Sequence, residues 1–285
     1  AALDLAFPAM LLALVLREIL AGRNWRNLVI SAILALLLVA NLCMHLDAAG
    51  WFPTSALGQR LGFAAVILIL NLVGGRIVPS STRNWLVKRG DRRLPASFDV
   101  FDRVQLAILF VALAGWVGAS EHPVTGAALI IAGLASVIRL VRWRGYRTFS
   151  EPLVWSLHLG FAWMPVGLIL IGTSIAGAEV PQSSGLHALS AGGFAAMILA
   201  IMTRATLGHT GRDLRADKPT TAIYLLAFSA AVTRVAAAFQ EALVDTMVSH
   251  TLEAAARFRV RGVVLGGGVA ANRRLREEFG SRSPV

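Results

Sequence analysis

The sequence predicts an all-α polytopic membrane bundle of about eight transmembrane helices, followed by a short α/β tail fragment of soluble type. Three observations predict it. Hydrophobic residues make up 56% of the 285 and charged residues only 15%, with a mean hydropathy of +0.66. Soluble domains carry about 25% charged residues, so the composition is that of a membrane protein. Apolar runs close to the ~20 residues that cross a hydrocarbon core recur as far as residue 235. Beyond residue 235 the pattern turns amphipathic.

In chain order the predicted spans are 3–16, 28–46, 61–73, 101–117, 124–140, 153–175, 186–202 and 220–235. The first is short, carries Pro8, and follows neither a basic n-region nor a cleavage signature, so it reads as a truncated start and not as a signal peptide. The third is also short and extends toward Ser55 and Gly74. Between spans the charge alternates. Arg17, Arg23 and Arg26 occupy the first loop, and Arg76, Arg83, Lys88, Arg89, Arg92 and Arg93 the third. Arg139, Arg142, Arg144 and Arg147 fill the fifth, and Arg204, Arg212, Arg215 and Lys218 the seventh. The even loops hold Asp47, Glu121 and Glu179, with Arg60 as the lone basic exception. The positive-inside rule makes the basic loops cytoplasmic and leaves the eighth span ending outside. It also accounts for the +11 net charge without a nucleic-acid partner, because the basic residues form no dense patch.

The tail, 236–285, is expected to hold an amphipathic helix with Phe239, Leu243, Met247 and Leu252 on one face. A strand over 260–265, a glycine turn at 266–268 and a helix over 269–279 follow. Strand, glycine turn and helix N-terminus together suit a phosphate or ribose, but about fifty residues cannot close such a fold alone.

Candidate ligands come mainly from histidine. The single cysteine, Cys43, rules out an intramolecular disulfide or a multi-cysteine site and reads as a small buried hydrophobe. His45 and His187 fall at outer helix ends, His158 and His209 toward the inner side, and His122 precedes Pro123 in an outer turn. His187 and His209 stand about 33 Å apart if helical throughout, so they cannot share a metal ion. A metal or heme site would draw on the outer or the inner set, and imidazole alone does not choose between iron and copper. Interfacial hydrogen bonding is the alternative for each. Two basic segments, Gly74-Gly75-Arg76-Ile77-Val78-Pro79 and the stretch 203–212 with Arg204 and Arg212, combine topogenic arginines with glycines. Phosphate, carboxylate or a heme propionate would suit those arginines. The small residues Ser190, Ala191, Gly192, Gly193, Ala195 and Ala196 predict close helix packing.

The segment from His187 to Arg204, continued by Leu207-Gly208-His209-Thr210-Gly211-Arg212, closely resembles the most distinctive stretch of the NnrS family. Gly74–Pro79 with Thr82, Arg83 and Asn84, and Glu151-Pro152 through His158 to Pro165, resemble two further family segments. The resemblance covers residues 1–235. It implies a multi-pass bacterial inner-membrane protein with heme and copper, linked to nitric oxide metabolism and nitrosative stress. His187, His209, His158 and His45 match by motif position as candidate ligands. The implied partners are the lipid bilayer and nitric oxide or a related small molecule.

In the tail, Phe239-Gln240-Glu241 and the string Gly266-Gly267-Gly268-Val269-Ala270-Ala271-Asn272 resemble the TsaD family of tRNA threonylcarbamoyladenosine transferases. The resemblance implies nucleotide contacts from Gly267, Gly268 and Asn272. That family's metal-binding histidine pair is missing here, so no complete catalytic site is visible and the tail reads as an inactive fragment. Three readings follow: an NnrS-like membrane protein joined to a TsaD-like fragment, a TsaD-like transferase, and a cofactor-free transporter or scaffold.

Overall fold

The structure is a computed structural model describing residues 2–260, 262–265 and 272–282. Its long helices are α1 (Ala2–Ala21), α2 (Leu28–Ala48), α3 (Ser55–Lys88), α4 (Val100–Gly118), α5 (Pro123–Arg142) and α6 (Pro152–Ile175). Next comes a composite helix of α7 (Gln182–His187), a π-helical segment (Ala188–Ala195) and α8 (Ala196–His209). The chain then forms α9 (Lys218–Phe258) and α10 (Arg273–Arg282).

Seven helices among the described residues are long and apolar enough to cross a membrane, against the eight expected. The difference is α1, which has spanning length but carries Asp4, Arg17 and Glu18 within its 20 residues. Charges are costly at membrane depth. Several helices outrun their apolar cores. Helix α3 continues through Gly74, Gly75 and Pro79 to Lys88, which places Arg76 and Arg83 on a helix and not in a loop. Helix α9 runs 41 residues, about 60 Å, or twice the hydrocarbon thickness.

Several starts are capped where the sequence places proline at the first turn. His122 accepts from the Val124 amide ahead of α5, Glu151 from Leu153 ahead of α6, and Asp217 from Thr220 ahead of α9. The Glu151 carboxylate also accepts from the Ala216 amide at 3.3 Å, which ties the loop after α8 to the start of α6. Arg147 pairs with Asp91 at 2.5 Å and joins the loops after α3 and α5. The basic loops thus share one end of the bundle, as their charge predicts. At the other end His45 of α2 meets Asp4 of α1 at 2.8 Å.

Helix α6 is the centre. Its buried Leu157, Phe161, Met164, Leu168 and Ile171 join Ile67 and Leu70 of α3, Leu109 and Leu113 of α4, Leu129 of α5 and Met197 of α8. Lipid is as apolar as these side chains, so close packing and not transfer from water holds the spans together. Small residues permit it: a Cβ on Gly126 of α5 would stand 2.8 Å from the Gly172 carbonyl oxygen of α6. The small-residue segment predicted to pack closely is the π-helical one, where Trp163 and Met164 of α6 lie against Gly192 and Gly193. Large apolar side chains such as Phe110, Ile131, Leu134, Ile198 and Leu226 remain exposed within the spans, where lipid would cover them.

The expected α/β tail is not found among the described residues. Residues 260 and 262–265 form no strand, and the glycine turn falls on residues outside the description. Instead α10 folds back on the end of α9, burying Leu275 and Phe279 against Val244 and Val248. The expected amphipathic face is rotated: Phe239 and Leu243 are exposed, while Met247 and Leu252 are partly buried. Arg274 pairs with Glu241 and Arg282 with Asp245 along this helical hairpin.

Candidate functional site

Two buried polar clusters lie near the basic end of the bundle. On α6, His158 is 8% exposed, and its Nε2 lies 2.7 Å from the Thr82 hydroxyl of α3. That hydroxyl donates its only proton to the Val78 carbonyl at 2.9 Å. With the hydroxyl proton on Val78, Nε2 donates to Thr82, and Nδ1 is a buried nitrogen with no partner among the described residues. Nδ1 faces Gly145, where a Cβ would stand 2.5 Å away, so the backbone turn after α5 closes this nitrogen off.

The second cluster is built on Arg139, which the charge pattern assigns to a loop but which lies inside α5 and is 2% exposed. Its Nε donates to Asp102 of α4 at 2.8 Å, and Nη1 reaches Gln105 Oε1 at 3.2 Å and the Asn71 carbonyl of α3 at 3.4 Å. Gln105 in turn donates to Ser136 at 3.0 Å. Asp102 also completes the N-terminal capping box of α4 with Asp99, and Asp99 pairs with Arg142. The Trp143 ring lies 5.2 Å from the guanidinium. Desolvating a charge this deeply requires partners such as these. The sequence does carry a signal for it: Leu129, Ala132, Ser136 and Arg139 recur on one helical face, all of them buried.

The motif-matched histidines are not brought together. His45 is engaged with Asp4, and His209 ends α8 exposed. Half-buried His187 lines a cleft of about 510 Å³ with Ser183, Arg234, Glu241 and Asp245. Among the described residues no group of three or more His, Cys, Asp or Glu is placed to hold a metal ion. The donor set therefore does not fit copper, which needs several converging ligands. His187 and Arg234 line the same cleft, so one imidazole and one guanidinium share it. Arg76 lines a separate cleft at the basic end, Arg204 is half-buried on α8, and Arg212 is exposed in the loop after it. In the tail, Asn272 Oδ1 accepts from the Leu275 amide at 3.2 Å and caps α10, while Gly267 and Gly268 lie outside the described residues.

Long apolar helices with polar groups gathered inside one end define a multi-pass membrane bundle. The profile of a family described as NnrS protein matches residues 1–259, and the chain belongs to the NnrS family. The match and α9 both pass residue 236 without a break.

A short stretch is also similar to curated proteins of a different kind. The chain is 60% identical over 42 residues to the tRNA N6-adenosine threonylcarbamoyltransferase of Geobacillus thermodenitrificans, covering 15% of this chain and 12% of that protein. It is 57% identical over 47 residues to the protein of that name from Syntrophus aciditrophicus, covering 16% and 14%. The one from Persephonella marina is 47% identical over 45 residues, covering 16% and 13%. The chain thus spans only about an eighth of the length of these relatives. No solved structure matches the chain.

Proposed function

We propose that this chain is the helix bundle of an NnrS-type protein of the bacterial inner membrane, acting in nitric oxide metabolism and resistance to nitrosative stress. The observation that carries the reading is the family match over residues 1–259, on a chain whose helices have the length and apolarity to span a bilayer. A heme in this cleft would be held by the His187 imidazole, with Arg234 beside it. A bound heme would supply an iron that takes up a diatomic ligand. The protein's own part is positional: α7 brings His187, and α9 Arg234, into the lining of one cleft. The donors present among the described residues do not fit copper.

The tail is proposed to be an inactive TsaD-like fragment, since matches of 12–14% of the transferases' length leave most of such an enzyme outside this chain.

Heme titration of the purified full chain in neutral detergent tests the cofactor reading. Wild type is expected to develop a Soret band that saturates at one heme per chain. His187→Ala should bind at least tenfold more weakly, and His158→Ala and His209→Ala should bind as wild type. No saturable band, or equal binding by His187→Ala, refutes the assignment and favours a bundle without cofactor.

A further inference from the structure

A second cleft, of about 810 Å³, opens at the basic end between α3, α4 and the turn after α1, away from His187. Arg26, Arg76, Arg83 and Arg139 line it, and the single lining carboxylate, Asp102, is already held by Arg139 at 2.8 Å. Arg76 and Arg83 are seven residues apart on α3 and so share a helix face. Among the described residues neither they nor Arg26 have an ion-pair partner, although Asp91 and Asp99 are engaged by other arginines nearby.

The floor of this cleft is built. Arg139 is 2% exposed and uses Nε and Nη1 within its network, while Nη2 has no partner among the described residues. Any side chain at Gly75 would cover that nitrogen, because a Cβ there would stand 2.5 Å from Nη2. Glycine at 75 leaves it facing the cleft, and Gly75 itself is part of the lining. Leu72, Leu106 and Phe98 border the arginines, so the cleft presents apolar surface next to concentrated positive charge. Guanidinium forks match phosphate oxygens, and basic pockets between spans on the cytoplasmic side suit anionic headgroups.

We infer that this cleft binds a phosphate ester at the cytoplasmic face, with Arg76 and Arg83 gripping it from α3 and Arg139 Nη2 beneath it. The inference does not depend on the heme reading. An acidic phospholipid headgroup and a soluble phosphate compound share this chemistry.

The test measures binding to the purified full chain in neutral detergent, using short-chain phosphatidylglycerol, short-chain phosphatidylcholine and inorganic phosphate. Phosphatidylglycerol is expected to bind saturably, at least tenfold more tightly than phosphatidylcholine. Arg76→Gln/Arg83→Gln should weaken it at least tenfold with helicity unchanged. Arg89→Gln/Arg92→Gln, which removes equal charge outside the cleft, should not. If inorganic phosphate instead binds with the same dependence on the variants, the phosphate site stands and its ligand is soluble. Absence of binding by both anions, equal affinity for phosphatidylcholine and phosphatidylglycerol without a phosphate response, or equal loss in both double variants overturns the inference.

Discussion

At the scale of single residues, Asp102 and Arg139 show how a charge survives between helices. Each is nearly inaccessible, and the two pair directly at 2.8 Å. Asp102→Asn would leave the guanidinium buried and unpaired, which costs about 3–5 kcal/mol by analogy with broken buried pairs. The Tm of the variant in nanodiscs should fall clearly, and Asp102→Leu/Arg139→Met should recover most of the loss. An unchanged Tm in Asp102→Asn would show that the pair contributes nothing. Asp91 works differently, at the surface. The Arg93 amide, and after it the Arg147 guanidinium, hold its carboxyl below the usual range. A depressed carboxyl stabilises the fold above its unfolded pKa, and that contribution is lost as pH falls through the folded value. The stability difference between wild type and Asp91→Asn should therefore be full near neutrality and shrink below about pH 4. A difference independent of pH would contradict the linkage. Glu151 before Pro152 and Asp217 before Pro219 have the chemistry of helix starts, a local signal that apolar-run length passes over. The role of Arg139 was not legible in the sequence, because an arginine near the end of an apolar run looks topogenic until its position on the buried face is noticed. The pairing of His158 with Thr82, 76 positions away in the chain, leaves no local trace at all.

At the scale of elements, hydropathy located every long helix but missed where several of them end. Gly74, Gly75 and Pro79 read as a helix terminus, yet α3 continues because Phe161 of α6 and Met197 of α8 pack against Gly74. Tertiary contact overrides local propensity there. The same contact logic makes the α5–α6 interface sensitive to size. Gly126→Val would drive a side chain into the Gly172 backbone, and overpacking of this kind costs about 1–3 kcal/mol. A lowered Tm with retained helical signal is the expected outcome, and a Tm equal to wild type would mean the helices separate at no cost. The π-helical segment Ala188–Ala195 could not be read from composition, and Trp163 and Met164 of the distant α6 lie against its Gly192 and Gly193.

At the scale of the whole molecule, the chain joins a bundle organised around α6 to a small hairpin of α9 and α10 with its own apolar contacts. The basic loops converge on one end, and the end of α9 projects from the other. The membrane class was evident from composition because no other solvent tolerates so much apolar surface. The tail was harder to read. Its motifs suggested a strand and turn, while the described residues hold only helix and irregular chain. The proposed heme cleft draws on the bundle through His187 and on the start of the tail through Glu241 and Asp245, while the proposed anion cleft lies at the opposite, basic end. Nitric oxide titration of the heme-loaded full chain, followed at the Soret band, tests that claim most directly. The account predicts a saturable spectral shift at one nitric oxide per heme, abolished in His187→Ala. A Soret band that stays fixed on addition of nitric oxide, or a shift unchanged by His187→Ala, would contradict it.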